Sequence, residues 1–368
     1  MKIFILSDPS SIHTKRWVSA LAERDIHIFL FGLSSNNIDF YLKYDNVLLY
    51  KTDHINRLKR RTKSGSFEKL KYLIVFQSLK KCIKDFQPDI LHAHYASSYG
   101  LLGALTGFHP YIISVWGSDV YDFPNVSFLH KKILEYNLSK ADCILSTSHI
   151  MANEARKYTN KHVQITPFGV DLTLFKKNYT TENEHALIIG TVKALVANYG
   201  IDVLIKSFKI LLDNNPHINL RLKIVGDGED KDKFISLASS LKIEDKIDFV
   251  GKIANENVPN YFNSFLVSVF LSVKESFGVA AVEAMACECP VVVSDADGFT
   301  EVVVNNETGF IVPQKDIQAT VNAIQKFVDD PKLREKMGEA GRNRVCELYN
   351  WENNVTQMVN IYDNILKT

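Results

Sequence analysis

Two glutamates stand eight positions apart in the run Glu275-Ser-Phe-Gly-Val-Ala-Ala-Val-Glu283. The apolar run 267–271 has strand length and ends just before Glu275, so that carboxylate belongs on a loop at the carboxyl edge of a sheet. A helix beginning near Phe277 offers free backbone N–H groups and a positive dipole end, the surroundings a diphosphate needs, with Phe277, Gly278 and Val279 supplying the main chain. Glu283, about two turns along that helix, is then placed to accept hydrogen bonds from vicinal hydroxyls such as a ribose presents. Two solvated helix glutamates would explain the same letters equally well, so the pair needs company.

Several smaller patterns compete for attention. Asp295-Ala-Asp297 matches a metal-binding aspartate pair, but its place after an apolar run and before Gly298 suits a loop cap better. Gly226-Asp-Gly228 lacks the full glycine spacing of a dinucleotide fingerprint. His92 and His94 alternate on one strand; His94 is expected to face acceptor and His92 to be packed. Ser10-Ser-Ile-His13-Thr-Lys15-Arg16 opens a helix, where His13, Lys15 and Arg16 are candidates for acceptor or phosphate contact and a serine cap is the plainer account. The five cysteines, Cys82, Cys143, Cys287, Cys289 and Cys346, are odd in number and lie within regular elements, which fits a reducing compartment. Cys287-Glu-Cys289 has no further Cys or His at ligand spacing, so no metal is expected. Arg57, Lys59, Arg60, Arg61 and Lys63, followed by Lys69, Lys71, Lys80, Lys81 and Lys84, form a basic stretch over 57–84 that reads as a solvated face or as a peripheral contact with anionic lipid.

These residues need a scaffold, and the chain supplies strands and helices in alternation. Strands are expected over 2–7, 27–32, 46–50, 90–94, 111–116, 143–147 and 163–166, with helical spacing over 12–24 and 67–86. A polar stretch at 176–184 reads as a linker. Beyond it strands recur over 186–191, 221–225, 247–250, 267–271, 290–294 and 309–312, with helices over 200–214, 230–241 and 279–287. Segment 351–366 carries one apolar stripe, that of an amphipathic helix. Alternation of this kind implies an α/β protein with parallel sheets covered on both faces. The 368 residues suit two domains, expected at 1–170 and 171–350, with helix 351–368 packing back on the first. Ligands of such sheets bind at the carboxyl ends of the strands, here in a cleft between the domains. A net charge of +1 gives no general field for nucleic acid, and no apolar run is long enough to span a bilayer. The N-terminal residues read as a first strand, not a signal peptide, so a cytoplasmic protein is expected.

The glutamate run resembles the signature of the retaining glycosyltransferases of family 4, which have the GT-B fold: two doubly wound, Rossmann-like domains facing each other across a cleft. Further segments resemble that family in its own order: Trp116-Gly-Ser-Asp119, Pro167-Phe-Gly-Val-Asp171, Gly190-Thr-Val-Lys193 with Tyr199-Gly-Ile-Asp202, Val225-Gly-Asp-Gly228, Phe249-Val-Gly251 and Asp297-Gly-Phe-Thr-Glu301. The resemblance implies a hexose-type transfer from a nucleotide-sugar such as a UDP-sugar to a glycan or lipid-linked acceptor, as in surface polysaccharide or glycolipid assembly, on a same-face course and without a cofactor. It implies that Glu275 holds hydroxyls of the transferred sugar, Glu283 the ribose, and Lys193 the diphosphate. Gly190, Tyr199, Gly251 and Ile253 line the donor, Trp116 joins His13, Lys15, Arg16 and His94 as an acceptor-side candidate, and Glu275, Lys193 and Asp119 are counted as the catalytic groups. Three departures stand out. No lysine adjoins Gly200, where the loop reads Asn198-Tyr199-Gly200; Trp116 stands where the family motif begins with histidine; and Glu288 occupies a place often held by glycine. Rival readings are a same-fold epimerase or phosphorylase, a non-catalytic partner subunit that keeps the fold and, last, a redox dehydrogenase.

Overall fold

The computed structural model describes residues 1–33, 38–50, 68–178 and 186–367. The chain divides into two compact units, Met1–Pro167 with Val355–Thr368, and Phe168–Asn354. Among the described residues the first unit holds seven strands: β1 (Lys2–Leu6), β2 (His27–Phe31), β3 (Val47–Leu49), β4 (Ile90–His94), β5 (Tyr111–Val115), β6 (Cys143–Ser146) and β7 (Val163–Ile165). All pair in parallel, in the order β3-β2-β1-β4-β5-β6-β7. The second unit holds β8 (Leu187–Val192), β9 (Leu220–Val225), β10 (Ile247–Gly251), β11 (Val267–Phe270), β12 (Val291–Ser294) and β13 (Gly309–Val312), again parallel, in the order β10-β9-β8-β11-β12-β13. Each sheet starts at its first strand, builds outward to one side, then returns to build the other. The reversal leaves a crevice at the carboxyl ends of β1 and β4, and another at those of β8 and β11.

Helices cover the faces, and their apolar stripes explain why. Helix Ile201–Asn214 buries Val203, Leu204, Phe208 and Leu211, at spacings of one, four and three residues, against the second sheet. Helix Ile317–Asp329 is capped by Asp316, whose Oδ1 accepts from Ala319 N at 2.8 Å, and helix Pro331–Leu348 by Asp330, with proline at its first position. Neither of these two helices was among the expected elements. Burial on both faces accounts for the strands' composition: β4 and β5 are buried from end to end.

The units part at Pro167, earlier than the expected polar stretch at 176–184, of which 179–184 lie outside the described residues. The physical reason is local. Val170 N–H donates to Tyr349 O at 2.7 Å and Trp351 N–H to Val170 O at 3.1 Å, so segment 168–171 joins the second unit. Gly169 packs so closely that a Cβ there would lie 2.6 Å from Trp351 Cα. Helix Trp351–Lys367 starts in the second unit and from Val355 onward is grouped with the first. There Gln357 Nε2 donates to Ile165 O at 2.9 Å. Among the described residues no helix is long and apolar enough to cross a membrane. The basic run 57–63 lies outside the described residues; Lys80, Lys81 and Lys84 are exposed on helix Glu68–Phe86.

Candidate functional site

At the reversal of the second sheet two chain segments meet. Lys193 follows β8 and Glu275 follows β11, and their side chains form an ion pair, Nζ to Oε2, of 2.6 Å. The Lys193 side chain is 16% exposed and that of Glu275 13%, so water screens the pair poorly without being shut out. The Lys193 ammonium also lies 4.4 Å from the centroid of the Tyr199 ring. Ser272 Oγ stands 3.5 Å from the same Glu275 oxygen, and Ser294 Oγ donates to Ser272 O at 2.6 Å. These serines escaped the sequence reading because their neighbours come from different strands.

The loops carrying these groups are pinned from several sides. Lys193 N–H donates to Val225 O and Leu195 N–H to Asp227 O. Gly226, at φ 141°, sits so near that a Cβ would fall 1.9 Å from Lys193 O. The Gly226-Asp-Gly228 glycines therefore let one loop lie on another. Asp230 Oδ2 accepts from Ala197 N at 2.8 Å, Asn198 O from Val273 N at 2.8 Å, and Glu275 O from Gly298 N at 2.9 Å. Asp295 Oδ1 accepts from Gln314 N at 3.0 Å, the loop-cap role expected of it.

Beyond Glu275, helix Val279–Ala286 begins at the first residue of the expected 279–287 stretch, two residues past Phe277: Gly278 is its N-cap at φ 95°, a conformation that favours glycine, with Phe299 packed where a Cβ would go. The Phe277 side chain is buried against Phe168 and Tyr349, so this position offers a ligand its main chain only. Glu283 is the fifth residue of the helix, one turn in and not two, and is half-buried. Gly251, at φ 86°, ends β10 where the register with β9 shifts, and nothing lies within 4 Å of its missing Cβ. Ile253, beside it, is half-buried. Gly190 is a correction: it lies inside β8 and a Cβ there would strike the Phe265 ring at 2.2 Å, so its smallness serves strand packing, not ligand approach. Cys287 and Cys289 are buried thiols, and Cys289 Sγ lies 3.1 Å from Ser268 Oγ.

The reversal of the first sheet is built differently. His92 is fully buried, with Nδ1 2.8 Å from Tyr362 Oη and Nε2 2.8 Å from Ser114 Oγ. His94 Nδ1 is 3.2 Å from Ser7 Oγ, which in turn meets Thr14 Oγ1 at 2.7 Å. The Trp116 ring lies 4.5 Å from His94 and 5.7 Å from His13. Burial pulls the His92 imidazole down to about 3. Burial and, second, the Arg16 charge bring His13 to about 4. His94 falls well below its ordinary value through burial first, then His92 and His13. All three are neutral at pH 7.

Two expectations, His94 toward the acceptor and Asp119 as a catalytic group, meet deep burial here. His94 is 2% exposed, nearly as buried as His92, and packs against Trp116, which is the more exposed of the two at this edge. Asp119 is fully buried and accepts from Ala96 N at 2.7 Å, Gly117 N at 2.8 Å and Trp116 N at 3.1 Å. Burial raises its pKa while those N–H groups oppose the rise. Its carboxylate ties the Ala96 segment to the Trp116-Gly117 turn, a structural role beside the catalytic one expected of it. His13, Lys15, Arg16 and Trp116 remain half-buried at this edge, with the Lys15 ammonium 5.1 Å from the Phe40 ring. Ser11, the expected helix cap, makes no side-chain capping bond; Ser10 instead turns to Asp8 Oδ1 at 2.8 Å.

Two parallel sheets of reversed order, covered by helices, define an α/β protein of the GT-B kind, with a cation and a carboxylate paired at one reversal. The family comparison is specific: residues 174–344 match the profile "Glycosyl transferases group 1" and residues 2–148 match "Glycosyl transferase 4-like". The chain is 28% identical over 301 residues to N-acetyl-alpha-D-glucosaminyl L-malate synthase of Bacillus anthracis, covering 76% of this chain and 75% of that protein. It is 29% identical over 248 residues to the capsular polysaccharide biosynthesis glycosyltransferase CapM of Staphylococcus aureus, covering 65% and 60%. The structure of Anabaena Alr3699/HepE in complex with UDP superposes with a TM-score of 0.82 at 17% identity, covering 99% and 100% of the two chains. The chain belongs to the group 1, family-4-type glycosyltransferases. It is a glycosyltransferase.

Proposed function

We propose that the protein transfers a hexose-type sugar, with retention, from a UDP-sugar to a glycan or lipid-linked acceptor in the assembly of a surface polysaccharide or glycolipid. The observation that carries this reading is the Lys193–Glu275 pair at the reversal of the second sheet, one glycine-capped turn before a helix start. Lys193 and the main-chain N–H groups of Phe277, Gly278 and Val279 take the diphosphate, Glu275 the sugar hydroxyls, Glu283 the ribose, and Gly251 and Ile253 the base. As the bond from the anomeric carbon to the diphosphate oxygen breaks, negative charge grows on that oxygen, where fixed donors stabilise it more than in the ground state. The acceptor oxygen bonds to the anomeric carbon, and its proton passes to the departing diphosphate. His13, Lys15, Arg16 and Trp116 serve the acceptor side. HepE, solved with UDP, supports a uridine donor, and CapM, named for capsular polysaccharide, supports a glycan product.

Such a reaction needs no metal, since Lys193 and the helix start carry the charge; activity unaffected by EDTA is the expected result. Lysines of the 57–84 stretch, including the exposed Lys80, Lys81 and Lys84, hold the protein at anionic lipid. Sedimentation with phosphatidylglycerol vesicles that is no greater than with neutral vesicles would remove that part. The central test is a thermal-shift series with nucleotide-sugars, followed by analysis of released UDP and of product anomeric configuration. A donor at a hundred times its dissociation constant adds about 2.7 kcal/mol of stability. No stabilisation by any uridine nucleotide would reject the donor, and an inverted product would reject retention.

A further inference from the structure

Tyr199 stands beside Gly200, and the Lys193 ammonium lies over its ring. We propose that this ring is a positioning residue: it holds the Lys193 ammonium at the phosphate end of the donor while that ammonium changes partners. The inference rests on the donor reading given above.

Three observations carry it. The 4.4 Å separation of Lys193 Nζ from the ring centroid is inside the range of a cation–π contact, and Lys193 is screened enough from water for the contact to count. The main chain that carries the ring is fixed. Tyr199 closes the turn Ala197–Tyr199, anchored by Ala197 N–H on Asp230 Oδ2 and by Asn198 O under Val273 N–H. Gly200 follows at φ 69°, pressed so tightly that a Cβ would lie 2.2 Å from Leu271 O. Finally, Lys193 is already engaged, at 2.6 Å, by the carboxylate assigned to the sugar.

An arriving diphosphate must take Lys193 from Glu275. A second lysine at 199 would add attraction for phosphate but would repel Lys193 across a few ångströms. The aromatic face attracts the ammonium without competing for phosphate, so the flexible lysine stem stays ordered through the exchange. Glu275, released, turns its oxygens to the sugar hydroxyls. Diphosphate capture and sugar capture are thereby coupled through one ammonium.

The test is a cycle on the full chain with the Tyr199→Leu, Tyr199→Phe, Lys193→Ala and Lys193→Ala/Tyr199→Leu variants, titrated with UDP and UDP-glucose by calorimetry. Tyr199→Leu weakens UDP binding by about three- to tenfold, the span of a partly desolvated cation–π contact. Tyr199→Phe rescues most of that loss. In the Lys193→Ala background the leucine change costs nothing more, because the two residues act as one. In spectra of the free protein, the Lys193 Cε protons show an upfield ring-current shift in the parent and in Tyr199→Phe, lost in Tyr199→Leu. Equal losses for Phe and Leu would assign the work to the hydroxyl and overturn the proposal, as would additive losses in the cycle. A parent that binds no uridine nucleotide while keeping the ring-current shift would sink the donor reading and the exchange role, leaving only the ring contact.

Discussion

The two sheets share one winding order, yet the crevices at their reversals hold opposite chemistry. The first is lined by His92, His94 and Trp116, with imidazoles kept neutral by burial and satisfied by Tyr362, Ser114 and Ser7. The second holds an ion pair, Lys193 with Glu275, supported by an aromatic ring and partly open to water. The difference lies in what surrounds each edge. Around Lys193 the loops are pinned together by backbone bonds and by glycines that admit a neighbouring carbonyl, and the paired side chains keep a small exposure to water. Around His92 the side chains close over one another, and burial there favours the neutral imidazole, both of whose ring nitrogens are engaged. One crevice stores charge for use; the other converts polarity into packing.

The comparison can be broken most sharply at the charged crevice. Lys193→Ala lowers transfer from a uridine donor by about a hundred- to a thousandfold, the scale for losing one donor aimed at a developing anion; initial rates measure it. Glu275→Gln also abolishes most transfer but tightens UDP itself by several-fold, since the competitor for Lys193 has lost its charge. Calorimetry giving weaker UDP binding would show that Glu275 helps the diphosphate directly. Gly226→Ala should cost about 1–3 kcal/mol of stability through strained φ and contact with Lys193 O, with donor affinity falling as the loop shifts. Denaturant melts together with UDP titrations read both effects.

The neutral crevice answers to pH instead. His92 has a folded-state pKa near 3, far below the ordinary value. Its contribution is whole above the unfolded pKa of about 6.5 and is lost as pH falls toward the folded value. Between pH 6 and 4 it adds a slope approaching about 1.4 kcal/mol per pH unit. His92→Gln should flatten that slope while leaving UDP affinity at pH 7 as it was; urea melts at three pH values decide. The smallest effect is expected at the half-exposed Lys206–Asp202 pair of helix Ile201–Asn214, where Asp202→Asn changes stability by less than about 0.5 kcal/mol. A larger loss would mean that the ends of this helix matter more to the charged crevice than exposure suggests.

Strands were readable because buried parallel strands are written as short apolar runs bounded by turn residues, and edges such as 90–94 and 309–312 fall where the periodicity ends. Helices 317–329 and 331–348 went unread although Asp316 and Asp330-Pro331 announce their starts, since Lys and Glu dilute the apolar stripe of the second. In the site, the order of motifs led to Lys193, Tyr199 and Glu275, which do meet. Depth is what letters do not encode. Asp119, His94 and Gly190 are polar or small at the right positions along the chain. Only the packing of other strands shows that Asp119 faces three amides, His94 an indole and Gly190 the ring of Phe265.

One feature of the chain's path bears on its synthesis. The first unit is left at Pro167 and completed only from Val355 onward, where Tyr362 supplies the hydroxyl that His92 needs deep in the sheet. A ribosome releases β1 to β7 long before it releases that tyrosine. The nascent N-terminal portion must therefore wait, with an unfilled slot beside a buried imidazole, until the whole second unit and then Tyr362 have been made. The second unit, contiguous from 168 to 354, has no such wait and is free to fold first.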